Sequence, residues 1–339
     1  MAKRIGAQTV ALTKPVAVAA GAAVVGKKEG EGPLRERFDE IGADAYFGQK
    51  SWEKAESIML KRCFQHLCTK TKTQPEDLHY LLAGDLQSQC TASAFAVRES
   101  AVPFLGLYGA CSTMGEAMSI GALLIDGGAA DRLCAMTSSH FCSAEREFRL
   151  PLEYGGQRTP SAQWTATAAG AVLLRIGGGV RVTHVTTGRI VDAGVTDASN
   201  MGGAMAPAAL STLKAHFAET GREPGYYDAV ITGDLGHFGH GVLADLAHDE
   251  GLEFPNVFTD CGMLLYNAKH QDVHAGGSGC GCCAAVFAAH ILKCMQEGMW
   301  KRVLFAPTGA LMSLVTSQQG ESIPGICHAL ALEAEEGAK

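Results

Sequence analysis

The feature that most constrains this chain is an internal duplication. Tyr80 to Leu86 reads YLLAGDL and Val230 to Leu235 reads VITGDL, each an apolar strand closed by Gly-Asp-Leu. In the first half a glycine-flanked cysteine, Cys111, then precedes an apolar helix reaching about Ile125 and the strand DRLCAMTSS from Asp131. In the second half a glycine and cysteine cluster, Gly276 to Cys283, precedes an apolar helix reaching about Gln296 and the strand KRVLFAPTG from Lys301. Both halves close with an alternating strand, AAGAVLLRI from Ala168 and GICHALALE from Gly325. Their openings also match, PVAVAAGAAVVG from Pro15 against VRVTHVTTGRIV from Val180. Repeats of this kind must be read before any single element. The pattern predicts two copies of one βαβαββ-like unit meeting near Gly177 to Gly179, with domains spanning 1–179 and 180–339.

Local patterns support an α/β class. Trp52 to Leu67 carries apolar residues at helical spacing, and Met205 to Thr220, ended by Gly221, takes the equivalent place in the second half. The strands are nearly continuous Val, Ile, Leu and Ala, which predicts sheets covered on both faces. The helices after Cys111 and Cys283 are apolar on most faces, so they belong between sheets. The 41 glycines in 339 residues fit many tight strand-to-helix turns, and a charged fraction of 19% fits a well-covered sheet.

Composition also excludes classes. A net charge of −7 without a Lys/Arg run leaves no footprint for nucleic acid, whose binding rests on phosphate neutralisation. A chain of this length buries roughly three quarters of its unfolded surface and needs no disulfide staples. The 12 cysteines are dispersed, several inside apolar runs, as expected of free thiols in a reducing compartment. Lys3 and Arg4 before an apolar stretch imitate a signal peptide, but Lys14 and Pro15 interrupt it, and a buried first strand is the preferred reading. No apolar run reaches the roughly 18 to 20 residues of a membrane span.

One constellation could carry chemistry. GLYGACSTMGEA places Cys111 at a strand-to-helix transition, where unpaired N–H groups and the helix dipole favour a thiolate. A small buried cysteine beside glycine is the competing reading. The matching turn of the other half brings His274 to a second helix start, so two facing helix starts would join Cys111 and His274 in one cavity. Such a pair is the minimum for an activated thiol. Asp85 and Asp234, at equivalent strand ends, either orient a histidine or cap a helix. Cys280 and Cys283 have C-x-x-C spacing without a second pair, so no metal is expected.

The cysteine in G-A-C-S-T, the H-x-x-G-x-G-like run at His274, the segment TQPEDLHYLLAGD and the duplication together resemble the thiolase superfamily, which includes the β-ketoacyl synthases. The resemblance runs from about Val16 to Glu333 and is strongest to its stage V sporulation protein AD family. It implies a five-layered αβαβα fold of two pseudo-symmetric halves. It further implies binding of dipicolinic acid (pyridine-2,6-dicarboxylate), free or as its calcium chelate, and a part in its uptake into the developing spore. Partners would be other SpoVA proteins at the spore inner membrane, with peripheral membrane attachment, and superfamily relatives suggest a homodimer.

Carried over residue by residue, the catalytic pattern is incomplete. Cys111 matches the nucleophile and His274 the histidine of the thiolase G-H-P-x-G-x-S-G motif, with Ala275 in place of proline. Where decarboxylating synthases carry a further histidine after a strand, this chain has Gly233 and Asp234, with His237 and His240 a few residues later. For the second thiolase cysteine, Cys327 is the candidate, without the flanking glycines. Catalysis is therefore not expected, no cofactor is implied, and the two catalytic candidates become ligand contacts. An active acyltransferase with Cys111 as nucleophile is the alternative. A flat aromatic dianion needs cationic or N–H donors around an apolar slot. Candidates are the helix start at Cys111, the glycine loop with Gly277 and Ser278, and Arg146, Arg149 and Arg158. Lys269, His270, His237 and Asp85 complete the set. Gln163 and Trp164 either line a pocket or cover the sheet.

Overall fold

The computed structural model describes residues 2–148, 157–254 and 257–335. The first half contains β1 (Val16–Val25), α1 (Trp52–Thr71), β2 (Tyr80–Gly84), α2 (Thr91–Val97), β3 (Phe104–Gly106), α3 (Thr113–Gly127) and β4 (Arg132–Ser139). It continues with α4 (Phe141–Phe148), a short β5 (Trp164–Thr165) and β6 (Ala168–Ile176). The second half repeats the plan with β7 (Val180–Thr186), α5 (Met201–Thr220), β8 (Ala229–Gly233), α6 (Gly236–Asp249) and β9 (Val257–Asp260). There follow β10 (Gly277–Ser278), α7 (Cys280–Val286), β11 (Arg302–Ala310), β12 (Gly325–Cys327) and β13 (Ala329–Ala334). After α7 the helix runs on through a π-turn at Phe287–Ile291 to Gln296.

The two sheet halves are topological copies. Strand order is β1-β6-β4-β2-β3 in one and β7-β13-β11-β8-β9 in the other. In each, the first two pairings are antiparallel and the last two parallel. They join where Val18 and Ala17 of β1 pair with Val180 and Arg181 of β7. The duplicated strands match the sequence reading, with one correction. Each half carries an additional edge strand, β3 or β9, which the βαβαββ reading lacks. These strands have only three and four residues, too short for period-two alternation to stand out.

Side-chain alternation along the strands builds the layers. In β2, Leu82 faces a central cluster while Leu81 and Ala83 face α1 and α2; in β11, Val303 and Phe305 face the centre and Leu304 faces α5. The central cluster is filled by α3 and α7, apolar on most faces, as expected of helices between sheets. Outer helices cover each side, giving α, β, α, β, α. The central layer is tight: a methyl group added at Gly170 of β6 would overlap the backbone of Ala284, and one at Gly281 of α7 the carbonyl of Ala168.

Helix α1 starts at Trp52 as the sequence pattern predicts, whereas α5 starts at Met201, four residues before the predicted Met205. Ser51 caps α1 by accepting a bond from the Lys54 N–H at 3.4 Å, and Asn200 caps α5 through the Gly203 N–H at 3.1 Å. Along α1, Met59, Leu60, Cys63 and Leu67 form the buried stripe. Among the described residues, no helix is long and apolar enough to cross a membrane.

Candidate functional site

Cys111 sits between edge strand β3 and helix α3, after Ala110, whose left-handed φ of 50° turns the chain into the helix. The opposing wall comes from the second half. Residues Gly277 and Ser278 form β10 and pair in parallel with Trp164 and Thr165 of β5, fixing a two-stranded ribbon in front of α7. Side chains alternate across it. Ser278 and Thr165 face the Cys111 cavity, whereas Trp164 stacks on Phe141 at 3.7 Å and carries the Lys28 ammonium on its ring. A side chain at Gly277 would meet Tyr266 and Cys282 rather than the cavity.

The Cys111 sulfur lies 3.5 Å from the Ser278 hydroxyl. The cavity around them, about 760 Å³ of empty space partly open to solvent, is walled mainly by Leu86, Ala144, Phe148, Met201, Ala310 and Met312. Its polar lining includes Tyr108, Gln163, Arg158 and Glu145. Arg158 donates to Glu145 at 2.9 Å, both side chains being largely buried, and its guanidinium lies beside the Phe141 and Trp164 rings.

The helix start does not produce a thiolate. Burial, reinforced by the nearby Asp234, pushes the Cys111 thiol up to about 12, and the Ser278 hydroxyl and Gly279 N–H offset only part of this. The expectation of a lowered value fails because desolvation of a buried charge outweighs a dipole acting over one helical turn. Asp234 is itself buried at a left-handed φ of 75°, facing Cys282 and Cys283. Burial, then the neighbouring Asp260, holds its carboxyl far above the carboxylate range. It stands at the strand end where the resemblance to the synthases leads one to look for a histidine. Cys280 and Cys283 turn their thiols onto the carbonyls of Ala110 and Cys111, tying the two helix starts together.

The structure brings together Cys111, Ser278 and Arg158 from the sequence candidates. His274 lies outside the cavity lining: its Nε2 is 3.2 Å from Asp272, and it precedes the ribbon that presents Ser278. The two helix starts do face each other, but α7 begins at Cys280, so Ser278 is the residue delivered to the thiol. Asp85 takes the capping role, accepting from the N–H of Gln87 and from the N–H and hydroxyl of Ser93. His237 is exposed at the start of α6, and His240 packs at a tilt against Phe258. Arg146 pairs with Glu53. His270 lines a separate surface cavity beside Lys28, and Lys269 is exposed. Cys327 is buried against the Ala306 carbonyl, outside the Cys111 cavity. Arg149 lies outside the described residues. Gln163 lines the cavity. Sequence reasoning missed Glu145, and nothing in the local pattern around it distinguishes it from a solvated helix charge.

A profile of Stage V sporulation protein AD (SpoVAD) matches residues 6–333. The chain is also 40% identical over 337 residues to Stage V sporulation protein AD of Bacillus subtilis (strain 168), covering 99% of both chains. The chain belongs to the stage V sporulation protein AD family. Solved structures place that family's fold among condensing enzymes. The 3-oxoacyl-[acyl-carrier-protein] synthase III from Aquifex aeolicus VF5 superposes with a TM-score of 0.59 at 12% identity, covering 94% of this chain and 99% of that one. An OleA variant from Xanthomonas campestris gives 0.61 at 14% identity, covering 95% and 99%. At such identities the likeness concerns the fold alone, which is the thiolase-like arrangement implied by the resemblance.

Proposed function

We propose that this sporulation protein binds dipicolinic acid in the Cys111 cavity and supports its uptake into the spore together with other SpoVA proteins, without condensing chemistry. The observation that carries the second half of this reading is the cavity's composition. Among the described residues its polar lining is the Cys111 thiol, hydroxyls from Tyr108, Thr165, Ser199 and Ser278, the Gln163 amide and an ion pair, with no imidazole lining it to take the thiol proton. Claisen chemistry needs a thiolate and donors for an enolate oxygen. A binding site for a flat ring needs apolar walls with a few convergent polar groups, and the lining of this cavity has both. The ligand's identity comes from the family resemblance.

Calorimetric titration with dipicolinate, alone and with equimolar calcium, is expected to give saturable binding. It should be lost in Ala144→Phe, which fills the cavity, and retained in His274→Ala. Absence of saturable binding by folded protein, or unchanged binding in Ala144→Phe, defeats the assignment. The rival reading, an acyltransferase with Cys111 as nucleophile, draws on the Gly279 N–H directed at the sulfur. Intact-mass spectrometry after incubation with acyl-CoA separates the two. The binding reading expects no adduct, and the rival expects one acyl group on Cys111.

The chain is further proposed to act as a homodimer through the free edge of β3. Among the described residues that strand pairs only with β2, and its neighbourhood exposes Phe95, Phe104, Leu105 and Tyr108. An exposed apolar edge strand is an aggregation hazard unless it is covered, and a two-fold copy covers it. Sedimentation should report a dimer and, for Leu105→Asp, a folded monomer; a monomeric parent protein removes the proposal. Attachment at the spore inner membrane belongs to the same proposal and rests on the family resemblance.

A further inference from the structure

We infer that Glu56 is a positioning residue for the Cys111 cavity: this one buried carboxyl pins the Leu86 and Ala144 walls to α1, and its charge state sets how firmly they are held. The inference rests on the reading of that cavity as a binding site. It names a group outside the cavity lining that governs the shape of the site.

Glu56 belongs to the buried stripe of α1 and is only 1% exposed. Its Oε2 accepts from Gln87 Nε2 at 2.8 Å and from the Ser143 hydroxyl at 2.9 Å, and its Oε1 accepts from the Ser138 hydroxyl at 3.0 Å. The three donors sit on three segments: the turn after β2, the first turn of α4 and the end of β4. Two of them adjoin the cavity. Gln87 follows Leu86 and Ser143 precedes Ala144, and both Leu86 and Ala144 line the cavity and pack in one cluster with Cys111 and Cys280. A single carboxyl thus ties two walls of the site to an outer helix. Asp85 extends the network, because the Gln87 N–H donates to it at 2.9 Å while the Gln87 side chain donates to Glu56.

Among the described residues no Lys or Arg contacts either carboxyl; their partners are amide N–H groups, hydroxyls and the Gln87 side chain. The elements packed on α1 supply no counter-charge. Strand β1 and helix α2 contain no charged side chain, and β4 and β6 carry Arg132 and Arg175 at the end far from Ser138. Burial raises the Cys63, Cys90 and Cys134 thiols, which stay protonated. On the α4 side Arg146 pairs with Glu53, Glu145 with Arg158, and the buried His140 ring meets the Ala45 carbonyl. Burial first, then Asp85, pushes the Glu56 carboxyl up to about 8, and burial raises Asp85 as well. Protonated, Glu56 can donate to the Ser143 hydroxyl, which passes its own hydrogen to the His140 carbonyl 3.1 Å away. Ionised, it is a buried anion beside Asp85 without a counter-charge, and opening the walls to water relieves that cost. In the open form the carboxyl regains its ordinary value. The advantage of the closed form is therefore full below about pH 5, drains as pH rises to about 8 and is constant beyond.

Hydrogen exchange of the full chain, with the intrinsic pH dependence of amide exchange divided out, tests the clamp without a ligand. Between about pH 6 and 8 the protection of residues 86–93 and 141–148 is expected to fall at least about tenfold. Helix α6, in the other half, should change by less than about twofold, and in Glu56→Gln every segment should stay level. A flat profile in the parent protein, or an equal fall in α6, overturns the inference. The parent profile needs no variant, so it decides the matter even if Glu56→Gln does not fold. Calorimetry then shows whether the clamp governs the site. A ligand packed on Leu86 and Ala144 favours the pinned, protonated form. Dipicolinate should therefore bind the parent protein about tenfold more weakly at about pH 9 than at about pH 7, and Glu56→Gln equally at both. A role in stability alone leaves the affinity independent of pH. If the parent protein binds dipicolinate equally at both pH values, or binds it with a flat exchange profile, the proposed function stands and this inference falls. If protection falls but dipicolinate does not bind, the clamp stands and the proposed ligand falls. If neither signal appears, both fall.

Discussion

Gly170→Ala is expected to destabilise the protein by at least about 3 kcal/mol, read as a lower denaturation midpoint with an unchanged slope. The reason is the crossing of β6 beneath α7. A β-carbon at Gly170 would overlap the carbonyl carbon and oxygen of Ala284, which are backbone atoms and cannot rotate away. Relief would require α7 to lift from the sheet, and α7 carries the glycine turn that presents Ser278 to Cys111. The central layer packs at crystal-like density, so a shift of one ångström propagates to both halves. The control is Gly241→Ala in α6, where an added methyl group meets nothing within 4 Å. That exchange is expected to stabilise by about 0.5 to 1 kcal/mol, through helix propensity and a less flexible unfolded chain. Equal effects at the two positions would mean that the close helix-to-sheet crossing contributes nothing particular.

The second large effect concerns reactivity. Alkylation of Cys111 by iodoacetamide at neutral pH should be about a thousandfold or more slower than that of an exposed cysteine. With the thiol pushed up to about 12, roughly one molecule in 100,000 is ionised at pH 7, against a few per cent of an ordinary thiol. Because the thiolate is the nucleophile, the rate should climb close to tenfold per pH unit through the alkaline range, with no plateau near neutrality. Cys68, Cys90 and Cys142 are only partly buried, so the measurement must follow the Cys111 peptide by mass spectrometry. Rapid labelling with a plateau near neutral pH would reveal an activated nucleophile and restore the acyltransferase reading.

Much of the fold was legible before any coordinates. Pairing YLLAGDL with VITGDL identified β2 and β8, and the pairs around Asp131 and Lys301 identified β4 and β11, because each strand is long enough to print its period. The edge strands β3 and β9 escaped because three or four residues cannot. At the site, the glycine-flanked Cys111 was found from its position at a helix start, and Ser278 came within the glycine loop. His274 was over-read. A motif match fixes residue order but not where the helix begins, and the three residues between His274 and Ser278 decide which side chain reaches the sulfur. Asp85 carried two readings in the sequence, and hydrogen bonding to Ser93 selected the cap.

The sequence by itself determined the duplication, the apolar central helices, the cysteine at a strand-to-helix turn and the family, because these are properties of order and periodicity along the chain. Tertiary structure alone decided the state of that cysteine and the company it keeps. The Asp234 carboxyl, the Ser278 hydroxyl and the Glu145 to Arg158 pair come to Cys111 and its cavity from four other segments, and the packing around them sets the burial depth. Their effects scale with distance and desolvation, which no linear pattern encodes.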